Sequence, residues 1–163
     1  MVTAYVALGA NLGDAAQTIR QAAIAIDALP ECSVKKTSSL YKTAPLETLL
    51  GHAPGGDYIN AVVEIETGLP APALLQHLQQ IELAAGRDRP YLNAPRTLDL
   101  DLLLYGEGHI DSPYLTVPHP RMWQRAFMLV PLAEIAPRMV SAVQINRVKN
   151  QSIERVANLQ AET

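Results

Sequence analysis

The spacing of apolar residues along this chain switches between a two-residue and a helical period, and the order of the switches limits what it can fold into. "TAYVALGA", residues 3–10, is β-prone and alternates weakly, so it reads as a first strand. After the turn "NLGD", Ile19, Ala22, Ala23, Ile26 and Leu29 recur at helical spacing, with Asp14 placed to cap the start and Pro30 to end the helix. "SVKKTSSLYKT" (33–43) reads as a second strand with one polar face. "YINAVVEIETG" (58–68) reads as a third, with clean alternation. Pro70 and Pro72 open a second helix whose apolar side is Leu74, Leu75, Leu78 and Ile81, extended by Ala85 and stopping near Gly86. A fourth strand follows over about residues 97–104. Two long irregular connections, 44–57 and 87–95, interrupt the pattern; loops of that length inside a compact domain tend to be functional or mobile.

The resulting order, β-α-β-β-α-β, is that of two split βαβ units. It predicts an α/β (α+β) fold of ferredoxin-like type, an antiparallel sheet with helices packed on one face. Beyond it come a turn region "YGEGHIDS", a short extended "YLTVPHP", a helix from about Arg121 to Ile135, and a tail from Pro137 with a weaker pattern, where extra C-terminal strands and a helix are expected. The 163 residues suit a single domain, 1–163, and 48% hydrophobic against 18% charged residues argue against disorder. A net charge of −3 argues against general nucleic-acid binding. Cys32 is the lone cysteine, so neither an internal disulfide nor a cysteine-rich metal site is expected. "MVTAYVALGA" lacks the basic start of a secretory leader, and no apolar run is long enough to cross a bilayer. A cytoplasmic monomer acting on small molecules, with no membrane or nucleic-acid partner, is the expectation.

"NAPRTLDLDLLLY", residues 93–105, carries the strongest chemical signal. On a strand, Asp99 and Asp101 share one face while Leu98, Leu100 and Leu102 share the other. The carboxylates then lie about 7 Å apart along the strand. Hard oxygen donors so placed suit Mg²⁺, which binds one or two carboxylates together with substrate phosphates. The alternative is a half-solvated strand whose polar residues face water. Arg87, Arg89 and Arg96 on the preceding loop tip the balance, because arginine clamps phosphate through a planar, permanently charged fork. Metal-binding carboxylates beside phosphate-binding arginines recur in phosphoryl transfer. The competing reading is that the arginines pair with Asp88, Asp99 and Asp101.

Other clusters are weaker alone. His119 is held between Pro118 and Pro120, and Arg121 and Arg125 stand one helical turn apart; the group could receive phosphate oxygens, or the histidine could cap a surface turn. Tyr58 and Asn60 alternate onto one strand face, where Asn can read a heterocycle edge, and Phe127 can stack a flat ring. "GANLGD" has neither the G-x-G-x-x-G spacing nor a P-loop lysine, and reads as a tight turn bordering the site. A rival class is a non-catalytic ferredoxin-like module that binds a small molecule or RNA. An RNA-binding sheet wants exposed aromatics and a basic surface, whereas aromatics are 5% here.

Six ordered blocks, "YVALGANLGD", "YKTAPL", "DYINAVV", "IELAAGRDR", "PRTLDLDLLLYG" and "LTVPHPRMWQRAFMLVPL", together resemble the 6-hydroxymethyl-7,8-dihydropterin pyrophosphokinases of folate biosynthesis, over roughly residues 3–137. The resemblance implies transfer of a pyrophosphoryl group from ATP to the pterin hydroxymethyl oxygen, with release of AMP and use of two Mg²⁺ ions. By position it implies that Asp99 and Asp101 bind metal, with Asp99 also near the pterin. It places Arg87, Arg89 and Arg96 on the catalytic loop, and Gln79, Glu82, Leu102, Thr116, His119 and Arg125 around ATP. Thr43, Pro45, Leu46, Tyr58, Asn60 and Phe127 match the pterin pocket. Members often carry Trp-Gly before the Pro-Arg of the motif. Asn93 and Ala94 stand there instead, so a cover over the pterin would fall to Tyr91 or Leu92. Tyr114 stands where some members place an arginine.

Overall fold

The computed structural model describes residues 1–11, 14–43, 58–86 and 98–159. The expected succession is present: β1 Val2–Ala10, α1 Ala15–Asp27, β2 Cys32–Thr37, β3 Ser39–Thr43, β4 Tyr58–Thr67, α2 Ala71–Gly86 and β5 Asp99–Tyr105. A small ladder of β6 Ile110–Asp111 and β7 Thr116–Val117 follows, then α3 Ala126–Ile135, α4 Ala142–Arg147 and β8 Ile153–Asn158. The main sheet runs β5-β1-β4-β3-β8, with β2 also on β4, and its pairings are antiparallel.

Local chemistry explains the element boundaries. The Asp14 carboxylate accepts the Gln17 N–H at 3.1 Å and caps α1, whose buried side is Ile19, Ala22, Ala23 and Ile26. The strand expected over 33–43 is broken at Ser38. The Ser38 hydroxyl accepts the Val62 N–H at 2.9 Å and donates to the Ser39 carbonyl at 2.8 Å. A side chain thus replaces a rung of the ladder, dividing β2 from β3.

Two apolar clusters sandwich the sheet. Ala4, Val6 and Leu8 of β1, Val63 and Ile65 of β4, and Leu98, Leu100 and Leu102 pack under Ile19 and Ile26 of α1 and Leu74 and Leu78 of α2. On the other face Tyr5 and Ala7 of β1, Val62 of β4 and Leu103 of β5 pack under Met128, Leu129 and Leu132 of α3, with Val140 and Val148 of the C-terminal segment. Helices therefore cover both faces, not one. The alternation of β1 requires this: both of its faces are apolar, so both must be covered. A register shift between Tyr5 and Val6 lets β5 place Leu103 and Leu104 in succession on the α3 side.

The helix expected from Arg121 to Ile135 is divided. Met122–Gln124 is a 3₁₀ turn, Arg125 is extended (φ −125°, ψ 114°), and α3 starts at Ala126. The tail, barely patterned in sequence, forms α4 and β8, and β8 pairs the outer edge of β3 from Ser39↔Asn158 to Thr43↔Ile153. Among the described residues no helix is long and apolar enough to cross a membrane.

Candidate active site

The site arises where α3 stops covering its face of the sheet. Following each strand outward from under α3, Tyr5 and Ala7 give way to Gly9, Val62 to Asn60 and Tyr58, Leu103 to Asp101 and Asp99, and Tyr41 to Thr43. One surface thus turns from apolar to polar at a line across four strands. A cleft of about 160 Å³ opens there. Gly9, Asn60, Tyr58 and Thr43 line it from the sheet, Asp99 and Asp101 from β5, and Arg125, Phe127 and Met128 from the start of α3.

Seven residues singled out in the sequence therefore meet in one place: Thr43, Tyr58, Asn60, Asp99, Asp101, Arg125 and Phe127. The Asn60 amide donates to Thr43 Oγ1 at 2.8 Å, which fixes the orientation of a buried carboxamide. Gly9 pairs with Asn60 across the β1–β4 ladder, and a Cβ there would lie 3.0 Å from Asn60 Oδ1. Glycine is needed at that point so that the amide can lie flat against the strand. The Arg125 guanidinium lies 5.4 Å from the centroid of the Phe127 ring, which orients a cation at the cleft wall.

His119 stands beside this cleft. Its N–H donates to the Leu103 carbonyl at 2.9 Å, tying the segment to β5. Its Nδ1 accepts the Arg121 N–H at 3.1 Å, so the capping role is real. With Nδ1 accepting, a neutral ring carries its proton on Nε2, which lies 4.0 Å from Asp101 Oδ1. Burial pushes the imidazole below its ordinary value; Asp101 pulls it back up, and Arg125 and Arg121 push it down again. The ring is thus biased toward the neutral form. Arg121 and Arg125 do not share a helix face, because a 3₁₀ turn and an extended residue separate them; Arg125 lines the cleft while Arg121 is exposed.

The remaining candidates lie elsewhere. Gln79 is exposed on α2. The Glu82 carboxylate accepts the Leu100 N–H at 2.6 Å, bracing the start of β5 from α2. Thr116 lies half-buried in β7. The Leu102 side chain is in the core under α1 and α2, on the face opposite Asp99 and Asp101, so it cannot pack on a ligand in this cleft. Pro45, Leu46, Arg87, Arg89 and Arg96 lie outside the described residues, as do Tyr91, Leu92, Asn93 and Ala94. Gly9 and Met128 were not singled out in the sequence. The signal for Gly9 was its place in "GANLGD", but its register against Asn60 is visible only in the sheet.

The donor set suits a hard divalent cation. Asp99 and Asp101 offer carboxylate oxygens on one cleft wall, and among the described residues no group of three or more His, Cys, Asp or Glu is gathered to enclose a metal. A cation held by two carboxylates needs water and substrate oxygens to complete its shell, as Mg²⁺ with phosphates does.

The profile of the 7,8-dihydro-6-hydroxymethylpterin-pyrophosphokinase (HPPK) family matches residues 5–137. The 2-amino-4-hydroxy-6-hydroxymethyldihydropteridine pyrophosphokinase of Haemophilus influenzae is 46% identical over 140 residues, covering 86% of this chain and 85% of its own. Its counterpart from Bacillus subtilis is 43% identical over 136 residues, covering 83% and 79%. A crystal structure of an HPPK-DHPS in complex with substrates shares the fold with a TM-score of 0.67 at 13% identity; 89% of this chain aligns, spanning 44% of that longer one. The chain belongs to the 7,8-dihydro-6-hydroxymethylpterin-pyrophosphokinase family, the pyrophosphoryl transferases of folate biosynthesis.

Proposed function

We propose that this cleft is where a pyrophosphoryl group passes from ATP to the hydroxymethyl oxygen of 6-hydroxymethyl-7,8-dihydropterin, giving AMP and the pterin diphosphate. The observation that carries the reading is the meeting, in one cleft, of an acidic pair, an arginine and a small aromatic–amide pocket. With its amide turned by Thr43, Asn60 presents a carbonyl oxygen and a second N–H to the edge of a heterocycle, and Phe127 and Tyr58 flank the ring. Asp99 and Asp101 would hold Mg²⁺, which neutralises phosphate charge and polarises the attacking hydroxyl when bound. Arg125 and the His119 Nε2–H offset charge on the transferred group, and Arg87, Arg89 and Arg96, which precede β5 in sequence, are assigned the same task. Gln79, Glu82, Thr116 and the main chain of Leu102 are assigned to the nucleotide. Catalysis here is positioning and charge neutralisation, and no side chain need act as an obligatory base.

Product analysis tests this directly. Incubation with ATP, Mg²⁺ and the hydroxymethyl pterin yields AMP in step with pterin diphosphate. ADP as product would indicate an ordinary kinase, and binding without turnover would favour a non-catalytic small-molecule module.

A further inference from the structure

The extended residue at the start of α3 is bracketed by a side chain from far along the chain. Gln151 Oε1 accepts the Ala126 N–H at 2.8 Å, and its Nε2 donates to the Gln124 carbonyl at 2.8 Å. These are the main-chain groups immediately before and after Arg125. One carboxamide thus pairs with the backbone as a neighbouring strand would, and it supplies the cap that α3 lacks, since Arg125 makes no side-chain capping bond. Arg125 is held from its own groups too: its N–H donates to Met122 O at 3.3 Å, and its carbonyl accepts from Met128 and Leu129 at 3.1 and 3.0 Å.

Gln151 lies beyond residue 137, where the family match ends. Its N–H donates to the Val148 carbonyl at 3.0 Å, a main-chain bond independent of the Val148 side chain, which is buried in the α3 cluster. The C-terminal segment therefore reaches back to the main chain on either side of Arg125, which with Phe127 and Met128 forms the α3 wall of the cleft.

We propose that Gln151 is a positioning residue: its carboxamide locks the turn 124–126 so that Arg125 stays over Phe127 and faces the phosphates. The inference rests on the phosphate-binding role assigned to Arg125 above. Gln151 is itself exposed, so truncating it removes two hydrogen bonds and opens no cavity. Trp123, the only tryptophan in the chain, sits in the same 3₁₀ turn and reports on it by fluorescence.

The test compares Gln151→Ala, Gln151→Glu and Val148→Ala with wild type. Glutamate keeps the acceptor for Ala126 but cannot donate to Gln124. Val148→Ala loosens the same segment without removing either bond. Gln151→Ala is expected to raise KM for ATP or lower kcat by about tenfold, at the low end for loss of a supporting hydrogen bond, and to shift Trp123 emission. Gln151→Glu falls between it and wild type. Val148→Ala lowers Tm more than either while leaving both kinetic constants and the emission near wild type. Wild-type kinetics in Gln151→Ala, or a kinetic loss in Val148→Ala as large as in Gln151→Ala, would overturn the proposal. A wild-type enzyme that makes no AMP would instead overturn the reading of the cleft.

Discussion

The two faces of the central sheet end differently. Under α1 and α2 the strands stay apolar: Ala4, Val6 and Leu8 of β1 and Leu98, Leu100 and Leu102 around β5 all belong to one cluster. On the α3 face the same strands begin apolar, at Tyr5, Ala7, Val62 and Leu103, and finish in Gly9, Asn60, Asp101 and Asp99. The covering helix is as short as the apolar part of its face. The apolar contacts lie wherever helix and strand coincide, and the polar side chains of the cleft gather where the strands outrun the helix. Substitutions on the two faces should therefore separate activity from folding.

The largest separation is expected at the acidic pair. Asp99→Ala and Asp101→Ala should each lower turnover by about a thousandfold, the range for loss of a preorganised charge-stabilising group, while thermal unfolding stays near wild type. A fall in Tm matching the fall in rate would break the distinction between the faces. Leu74→Ala is the converse experiment. Leu74 is fully buried on the α1–α2 face, and its truncation should cost about 2–5 kcal/mol by denaturant unfolding, with KM unchanged in the folded fraction.

Gly9→Ala sharpens the comparison within the cleft. Its Cβ would press on Asn60 Oδ1 at 3.0 Å and turn the amide away from Thr43. KM for the pterin should rise by about tenfold with KM for ATP unchanged, which steady-state kinetics in each substrate will distinguish.

A smaller effect concerns how α3 is held to the sheet. Glu134 of α3 accepts the Ser39 N–H, the Ser39 hydroxyl and the Tyr41 hydroxyl, each at 2.8 Å, while Arg155 of β8 donates to the same Ser39 hydroxyl at 2.6 Å. Burial raises the Glu134 carboxyl, but these hydrogen bonds and Arg155 outweigh it and hold it below its ordinary 4.5. The unfolded chain then binds this proton more readily than the folded one. The contribution is present above the ordinary carboxyl value and is lost as pH falls through the folded one. Tm followed across the acid range should drop less steeply in Glu134→Gln than in wild type. Equal slopes would remove Glu134 from the account.

What could be read in the sequence follows the same division. The two-residue alternation of "LDLDLLL" already separated the leucines from the aspartates, and α1 carried its own cap and apolar stripe. The start of α3 was hidden for two reasons. "AFMLVPLAEI" is apolar nearly all round, so its periodicity marks no face, and its first residue, Ala126, is held by Gln151, 25 residues later. Helices on both faces are less legible, because the apolar residues of β1 mark a strand, and its two apolar sides call for a cover on each only once α3 and its cluster are in place. Among the described residues β8 pairs on one edge, and it is mostly exposed, so it carries little pattern. Leu102 matched a family position but faces the core, a distinction that strand parity alone predicts.

The central claim is that the polar end of the α3 face is a site for metal-bound nucleotide built on Asp99 and Asp101. Calorimetric titration of a non-hydrolysable ATP analogue, with and without Mg²⁺, into wild type and an Asp99→Asn, Asp101→Asn double variant tests it most directly. The account predicts Mg²⁺-dependent binding by wild type that the double variant loses. Equal Mg²⁺-dependent binding by both proteins would contradict it.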